Sequence, residues 1–337
     1  MIQPVQTLHP PCKINLHLAV GPRRADGFHD LESIFAALNF ADTLVFTALP
    51  GRGAQTALAV REEGPLRELA ERGQVFPSYP TENNLVYLAV ELFRSKTGFL
   101  QDLSIELVKR IPPGSGLGGG SSDAASALLA MNKLAGCGES ADSGKTGMQW
   151  QPGRLSREVL LDLAARLGSD IPFFIEIALQ NGEKSSARAV GGRGEIFRFL
   201  PPPPPLGVLL AFPGFFSHTK AAYSLLDEQR SQTEGFAATA PAARSPEVQI
   251  TDSWPTPETW TYTNDFQDLF LNHGPLPEQK AYRTMLTDLR RAGAIFSGLS
   301  GSGSACFGIF PGPEEAAQAK KNLGRAFYVL ESTFFLA

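Results

Sequence analysis

The sequence is poor in cysteine and has no long apolar run. Its three cysteines, Cys12, Cys137 and Cys306, are odd in number and widely spaced, which favours neither a disulfide framework nor a zinc site. No apolar stretch reaches the roughly 18 residues of a membrane-spanning helix, and the first residues lack the features of a secretory signal. These absences lead us to expect a cytoplasmic protein without a membrane partner.

The sequence also lacks an excess of positive charge. It has 30 Lys and Arg residues against 34 Asp and Glu residues, for a formal net charge of −4. This balance gives no broad basic surface for nucleic acid. With 43% hydrophobic and 19% charged residues in 337, the chain has the composition of a folded globular protein, and its length favours two domains. We therefore expect no nucleic-acid partner.

Hydrophobic periodicity predicts that strands and helices alternate. Apolar side chains alternate with polar ones from Cys12 to Val20, which predicts a half-buried strand with Lys13, Asn15 and His17 on its polar face. Helices are predicted at 84–97, 121–135, 157–167, 279–292 and 314–323, and strands at 104–111, 305–310 and the C-terminal end. The alternation of predicted helices and strands towards the C-terminal end suggests a second domain of the α+β class.

Three segments interrupt the periodicity. The proline run at 201–205 cannot continue a sheet ladder, so we place a domain boundary there, between residues 1–200 and 206–337. Residues 136–153 are polar and glycine-rich, which predicts a surface insertion. Residues 229–263 are rich in Ser, Thr, Ala and Pro, which predicts a long loop from which we expect no chemistry.

A glycine-rich segment joins the predicted strand at 104–111 to the predicted helix at 121–135. Its five glycines allow backbone N–H groups to approach a ligand closely, and the start of the helix adds unpaired donors and a partial positive charge. These features predict a phosphate site. The predicted nucleotide-binding residues are Pro112, Pro113, Gly114, Ser115, Gly116, Leu117, Gly118, Gly119, Gly120, Ser121 and Ser122.

Other glycine-rich motifs fit this segment less well. Gly114, Gly116 and Gly119 satisfy G-x-G-x-x-G, but the polar sequence around Glu139 lacks the strand with an acidic end that a dinucleotide fold requires. In the P-loop frame, Gly120 replaces the lysine. The signatures of protein kinases and serine hydrolases are absent. A flexible surface loop stays open as the simplest alternative.

The sequence P-P-G-S-G-L-G-G-G-S-S-D-A at 112–124 resembles the nucleotide motif of the galactokinase, homoserine kinase, mevalonate kinase and phosphomevalonate kinase (GHMP) superfamily. Five further blocks are similar to the 4-diphosphocytidyl-2-C-methyl-D-erythritol kinases, in the family's order and across nearly the whole chain. They are K-I-N-L at 13–16, R-A-D-G-F-H at 24–29, N-L-V-Y at 84–87, G-S-D-I-P-F-F at 168–174 and S-G-S-G-S at 300–304.

The resemblance implies an ATP-dependent kinase. Its substrate would be a cytidine-diphosphate-linked alcohol, phosphorylated on the 2-hydroxyl in the methylerythritol phosphate route to isoprenoid precursors. The resemblance also implies a two-domain α+β fold, with an N-terminal ATP-binding domain and a C-terminal GHMP kinase domain around the substrate cleft. Mg²⁺ is expected from ATP chemistry, although the sequence has no metal-ligand cluster and we assign no ligand.

Residues that match the family's motifs take specific roles. Asp170 would accept the hydroxyl proton as general base, while Lys13 would orient that carboxylate and offset developing charge. Asn15 would contact the substrate, and His29 would hydrogen-bond the cytosine edge. Taken alone, Asp170 could be a turn or capping residue, and Lys13 a surface lysine.

The predicted cytosine site departs from the family's pattern. Phe28 stands where the family often has tyrosine, so its ring can stack on cytosine but offers no hydroxyl. The second face of the base would come from Phe215, Phe216 or His218, of which we select Phe216 and His218.

Two polar features close to the glycines have several interpretations. Asp123 lies too near the phosphates for a simple contact, so it would cap the helix, pair with a cation or face Mg²⁺. The turn at 300–304 would close over substrate phosphates or form a tight hairpin.

Two alternative functions stay open. The chain could be a GHMP kinase for homoserine, mevalonate or a sugar, although the block with Asp26, Gly27 and His29 argues against this. It could also be a nucleotide-binding protein without catalysis, but both Lys13 and Asp170 are present.

Overall fold

The computed structural model describes residues 5–74, 81–136, 155–180, 185–232, 254–323 and 328–336. Cys137, nearly all of the insertion predicted at 136–153 and the centre of the loop predicted at 229–263 lie outside these ranges. Helices and sheets share the described chain, as the α+β prediction requires. In these same ranges no helix has the length and apolarity to cross a bilayer, and the cytoplasmic location stays a prediction.

The strands form three four-stranded sheets, with orders β1-β4-β6-β5, β2-β3-β7-β8 and β10-β11-β9-β12. Neighbours are antiparallel except β5 and β6. The strands are β1 Val5–Leu8, β2 Pro11–Arg23, β3 His29–Ala41, β4 Thr43–Ala48, β5 Thr56–Glu62, β6 Leu103–Lys109, β7 Ala187–Gly191, β8 Ile196–Phe199, β9 Gly207–Phe212, β10 Phe296–Leu299, β11 Cys306–Phe310 and β12 Val329–Phe334.

The helices agree with the predicted ones to within a few residues and add four that were not predicted, α1, α5, α6 and α7. They are α1 Gly64–Glu71, α2 Leu85–Thr97, α3 Gly119–Ala135, α4 Arg157–Leu167, α5 Ile171–Ala178, α6 Thr219–Gln232, α7 Asp265–His273, α8 Leu276–Arg291 and α9 Pro313–Leu323. Short 3₁₀ turns lie at Thr81–Asn83 and Pro257–Thr259. Local signals define several ends: Asn84 caps α2 through its side chain, and Gly98 ends that helix in the left-handed conformation.

The hydrophobic core has three clusters. The first packs α2, α3 and α5 on the β1-β4-β6-β5 sheet, with Phe46, Val90 and Leu128 fully buried. The second joins β2 and β3 to β9 and β11, and includes Leu38 and Val208 from either side of the proline run at 201–205. The third packs α6, α7, α8 and α9 on the last sheet. The domain boundary in the proline run stays a prediction.

The prediction that β2 is half-buried is wrong, because both of its faces are buried. Lys13, Asn15 and His17 have exposures of only 3%, 2% and 5%. The backbone N–H of Lys13 donates to the carbonyl of Leu117 at 2.9 Å, and that of Asn15 donates to Ser300 Oγ at 3.3 Å. Neighbouring segments therefore cover the polar face, which period-two alternation cannot reveal.

The loop predicted at 229–263 is wrong at its described start, whereas its described end, from residue 254, has no regular element except the 3₁₀ turn at Pro257–Thr259. Residues up to Gln232 belong to α6. Beyond the undescribed centre, Trp260 and Tyr262 are buried with ring centroids 5.1 Å apart, and Leu18 N donates to Thr263 O at 2.8 Å. Aromatic burial therefore orders a segment whose overall composition resembles a loose loop.

Candidate active site

The glycine-rich segment connects β6 to α3 as predicted, although α3 begins at Gly119, two residues before the predicted start. Gly114, Gly116 and Gly118 have φ values of 63°, 76° and 70°, a conformation that side chains other than glycine rarely adopt. A Cβ on Gly116 would stand 2.1 Å from the carbonyl oxygen of Ser300. Glycine is therefore required at position 116 by its backbone conformation and by its close approach to Ser300.

The carbonyl oxygens of residues 114–117 point into the protein, where all four accept hydrogen bonds. The donors are Ser217 N and Ser304 N to Gly114, Ala305 N to Ser115, Ser300 Oγ to Gly116 and Lys13 N to Leu117, at 2.9–3.2 Å. In the described part of the chain, the N–H groups of Gly116, Gly118, Gly119 and Gly120 find no backbone acceptor. This anchoring argues against the flexible-loop alternative and leaves donors for an anion.

Lys13 and Asp170 meet beside this loop. Lys13 Nζ lies 3.3 Å from Asp170 Oδ2, donates to Asn15 Oδ1 at 2.6 Å and lies 4.5 Å from the ring centre of Phe35. A Cβ on Gly118 would be 3.2 Å from Lys13 Cγ. The lysine is therefore a buried cation between the loop and a carboxylate, and not a surface side chain.

Asp170 precedes α5 at the N-cap position, where aspartate often accepts a backbone hydrogen bond. Its side chain makes no such capping bond, and its exposed fraction of 29% is far above the 4% of its partner Lys13. The carboxylate is thus accessible to a ligand, while its Oδ2 atom contacts the buried Lys13.

Asn15 lies behind the lysine and lines the same cavity. Besides accepting from Lys13, its amide donates to Ser33 Oγ at 3.0 Å, and Ser33 Oγ donates to the carbonyl of His17. This chain of hydrogen bonds fixes the orientation of the Asn15 amide, which in turn fixes the position of the Lys13 ammonium group. The contact between Asn15 and substrate stays a prediction.

A cavity of about 1030 Å³ contains the glycine loop, the lysine–aspartate pair and two residues of the predicted cytosine site, Phe28 and His29. Its lining includes Pro112, Pro113, Gly114, Ser115, Gly116, Gly118, Gly119, Gly120, Ser121, Lys13, Asn15, Phe28, His29, Asp170 and Tyr223. Leu117 and Ser122 are buried behind it. The volume is at the upper end of the range for small-molecule sites, which suits two ligands.

The far end of the cavity combines aromatic and polar side chains. His29 is buried, and its Nδ1 donates to the carbonyl of Gly21 at 2.9 Å. Its Nε2 lies 3.5 Å from Asp227, and its ring centre is 5.2 Å from that of Tyr223. Phe28 is 51% exposed, with the guanidinium of Arg193 at 4.0 Å from its ring centre.

The structure does not bring Phe216 and His218 into this group. Their rings pack edge to face at 4.9 Å, beside Gly114, whose Cβ would be 3.0 Å from Phe216 Cβ. In the described residues the cavity lining includes neither of them. Phe215 packs on Tyr282.

Sequence reasoning missed Tyr223. It lies in the second turn of α6 and lines the cavity, with its ring centre 5.2 Å from that of His29. The apolar spacing of Ala222 and Leu226, which are both buried, could have predicted the helix. Only the packing of α6 against β2 and α7 decides that the tyrosine faces the cleft.

The turn at 300–304 forms the β10–β11 hairpin and also holds the glycine loop, through the bonds from Ser300, Ser304 and Ala305. Gly301 and Ser302 reach the cavity lining.

Asp123 pairs with a cation, Lys109, at 2.7 Å, which was one of its three predicted roles. In the described ranges no three His, Cys, Asp or Glu side chains are grouped to hold a metal ion.

Comparison with known families matches two parts of the chain. The model of the N-terminal domain of GHMP kinases matches residues 84–176, and that of the GHMP kinase C-terminal domain matches residues 263–329. The first match contains the glycine loop and Asp170, and the second contains the turn at 300–304.

Individual relatives match almost end to end. The chain is 33% identical over 325 residues to the 4-diphosphocytidyl-2-C-methyl-D-erythritol kinase of Treponema pallidum, covering 95% of this chain and 94% of that one. It is 30% identical to the enzyme of the same name from Chlorobium luteolum, with coverages of 96% and 93%.

Solved structures agree. A crystal structure of 4-(cytidine 5'-diphospho)-2C-methyl-D-erythritol kinase superposes with a TM-score of 0.68 at 28% identity, over 98% of this chain and 100% of that one. A homoserine kinase from Cytophaga hutchinsonii gives 0.59 at 16% identity, over 99% and 95%, and shares the fold.

Proposed function

The chain belongs to the 4-diphosphocytidyl-2-C-methyl-D-erythritol kinase family of the GHMP kinases, and from that premise we propose how its residues carry the reaction. It is an ATP-dependent kinase of isoprenoid precursor synthesis, which phosphorylates the 2-hydroxyl of 4-diphosphocytidyl-2-C-methyl-D-erythritol. The observation that carries the residue roles is the 3.3 Å approach of Lys13 Nζ to Asp170, beside the glycine loop in one cavity.

Asp170 is the general base. The hydroxyl oxygen of the substrate forms a bond to the γ-phosphorus of ATP, the bond from that phosphorus to the bridging oxygen of ADP breaks, and the hydroxyl proton passes to the Asp170 carboxylate. Because Lys13 Nζ lies 3.3 Å from this carboxylate, the lysine orients the base and offsets negative charge on the phosphoryl group that is transferred.

The glycine loop holds the ATP phosphates. Its carbonyls are occupied inside the protein, so its N–H groups and the start of α3 are the donors left for anionic oxygens. Mg²⁺ would neutralise charge on the phosphates when bound, and the Ser121 hydroxyl, an oxygen donor in the cavity lining, would hold it.

Phe28, His29 and Tyr223 form the cytosine site. The two aromatic rings line the cavity and offer π faces to a base. His29 donates through Nδ1 to the carbonyl of Gly21, and its Nε2, which lies 3.5 Å from Asp227, is the ring nitrogen that would contact the base edge. Tyr223 takes the role that the sequence analysis assigned to Phe216 and His218. The assignment of those two residues stays a prediction, and in the described residues neither of them lines the cavity.

The substrate assignment is tested by ADP release with ATP, Mg²⁺ and a panel of alcohols. Rapid turnover is expected only with the cytidine-diphosphate-linked alcohol, and addition of EDTA should stop it. Mevalonate, homoserine and galactose serve as controls on the same protein. Preferred turnover of any of these three would reject the assignment.

The cytosine site is tested by replacing Tyr223. Because stacking on an aromatic ring contributes about 1–3 kcal/mol per base, Tyr223→Ala should raise KM for the cytidine-linked substrate roughly 5- to 150-fold. KM for ATP should stay unchanged. Tyr223→Phe retains the ring and is the matched control, expected to keep KM near the wild-type value. Equal KM values for the alanine variant and the wild type would remove Tyr223 from the site.

A further inference from the structure

Behind the glycine loop, a buried lysine lies between two buried aspartates. Lys109 Nζ is hydrogen-bonded to Asp42 and lies 2.7 Å from Asp123 Oδ2. The exposed fractions of the three side chains are 13%, 0% and 3%. The phosphoryl-transfer mechanism uses none of these residues, although burying three charged groups costs free energy unless they are well paired.

The three side chains come from the elements that the loop connects. Lys109 is the last residue of β6, immediately before the loop. Asp123 lies in the second turn of α3, immediately after it. Asp42 lies between β3 and β4, and its Oδ1 accepts from the backbone N–H groups of Arg110, at 2.5 Å, and Ile111, at 2.9 Å. One ammonium therefore ties together the chain entering the loop and the helix leaving it.

The cluster also touches the loop directly. Gly119, the first residue of α3, has no room for a side chain: its Cβ would stand 3.3 Å from Lys109 Nζ and 2.8 Å from Ile111 Cγ2. The first residue of α3 therefore packs directly against Lys109. In the described residues, none of Asp42, Lys109 and Asp123 lines the cavity, so each would act on a ligand through the loop.

We propose that Asp42, Lys109 and Asp123 are positioning residues for ATP, which hold the two ends of the glycine loop at the spacing that lets its N–H groups meet the phosphates. The inference rests on the proposed role of the loop as the ATP site. It follows from the geometry because an anion site made of backbone N–H donors cannot adjust to its ligand by rotating side chains. Its precision depends on what fixes the backbone.

The charges of the cluster suggest which variants are mild. Burial raises the pKa of Asp123 to about 7, a rise that Asp42 reinforces and Lys109 opposes. An amide at position 123 keeps the size of the aspartate but weakens its contact with Lys109, so Asp123→Asn should disturb the cluster moderately. In contrast, Lys109→Met leaves two buried carboxylates without their shared cation, which disrupts the cluster most.

Steady-state kinetics of the full chain test the proposal. Lys109→Met should raise KM for ATP roughly 10- to 100-fold, the effect of a small misplacement of binding groups. KM for the cytidine-linked substrate should change less than about threefold, because the cytosine site does not contact the cluster. Lys109→Arg, which retains the charge, should recover part of the ATP affinity.

Arg94→Met is the matched control. Arg94 is also a buried cation, 7% exposed, and it binds the carbonyls of Ala54, Gln55 and Gln101 away from the cavity. Its replacement should lower the midpoint of thermal unfolding while KM for ATP stays at the wild-type value. An equal rise of KM for ATP in this control would show general destabilisation and overturn the proposal.

If Lys109→Met does not fold, Asp123→Asn and Asp42→Asn replace it, and both should raise KM for ATP more than KM for the second substrate. Folded variants with KM for ATP within about twofold of wild type would overturn the proposal. Wild-type turnover in the same assay separates the two hypotheses: an inactive wild type rejects the proposed function, whereas an active wild type with unaffected variants rejects only the positioning role.

Discussion

Asp170→Asn is expected to lower kcat by roughly 10²–10⁴, the contribution of a positioned proton acceptor. The amide cannot accept the hydroxyl proton, yet it has the size of the carboxylate and leaves the glycine loop intact. KM for ATP should therefore change little. Single-turnover measurements at saturating ATP and cytidine-linked substrate test this, because they report on the chemical step without product release.

Asp162→Asn provides the matched control for this experiment. Asp162 is an exposed carboxylate on α4, and the same substitution there should leave kcat unchanged. Lys13→Met should resemble Asp170→Asn in lowering kcat, because it removes the ammonium 3.3 Å from the same carboxylate. Wild-type turnover by the Asp170→Asn variant would mean that another group accepts the proton.

Gly116→Ala is expected to damage both stability and ATP binding. Its Cβ would lie 2.1 Å from Ser300 O, and its φ of 76° is strained for alanine. We estimate a loss of about 2–5 kcal/mol in the free energy of unfolding from strain and overpacking. Since the loop must move to relieve the contact, calorimetry should detect ATP affinity reduced by at least roughly 100-fold.

Gly98→Ala separates backbone strain from the contact with Ser300. Gly98 has a similar φ of 66°, but no atom of the described chain lies within 4 Å of the position its Cβ would take. Its replacement should cost only the strain, about 1–2 kcal/mol, and leave ATP affinity at the wild-type value. If Gly116→Ala is as mild as Gly98→Ala in both measurements, the loop tolerates movement and the packing argument is wrong.

The glycine loop could be predicted because its signal is local. The strand, the glycines and the helix follow one another in the chain, and their spacing alone predicts backbone donors at a helix start. The pairing of Lys13 with Asp170 could not be predicted in this way. Each residue, taken alone, resembles an ordinary surface or capping side chain, and only the resemblance of their blocks to a kinase family predicted that they meet.

The second aromatic of the proposed cytosine site depends on tertiary contacts. Phe216 and His218 were selected from the aromatic residues at 215–218, but their rings pack on each other beside Gly114. Tyr223 lines the cavity instead, because α6 packs with Ala222 and Leu226 inward. A helix orientation of this kind depends on contacts with distant elements and has no local signature.

By itself, the sequence determined the α+β class, most helix positions, the glycine-rich loop before α3 and the kinase family, since each depends on neighbouring residues or on a motif that runs along the chain. Only the tertiary structure decided that the polar face of β2 is buried, that Tyr223 faces the cleft and that Asp42, Lys109 and Asp123 share one buried cluster. The reason is that burial and electrostatic pairing depend on which segments come together in space, and polar residues carry no periodic signal for it.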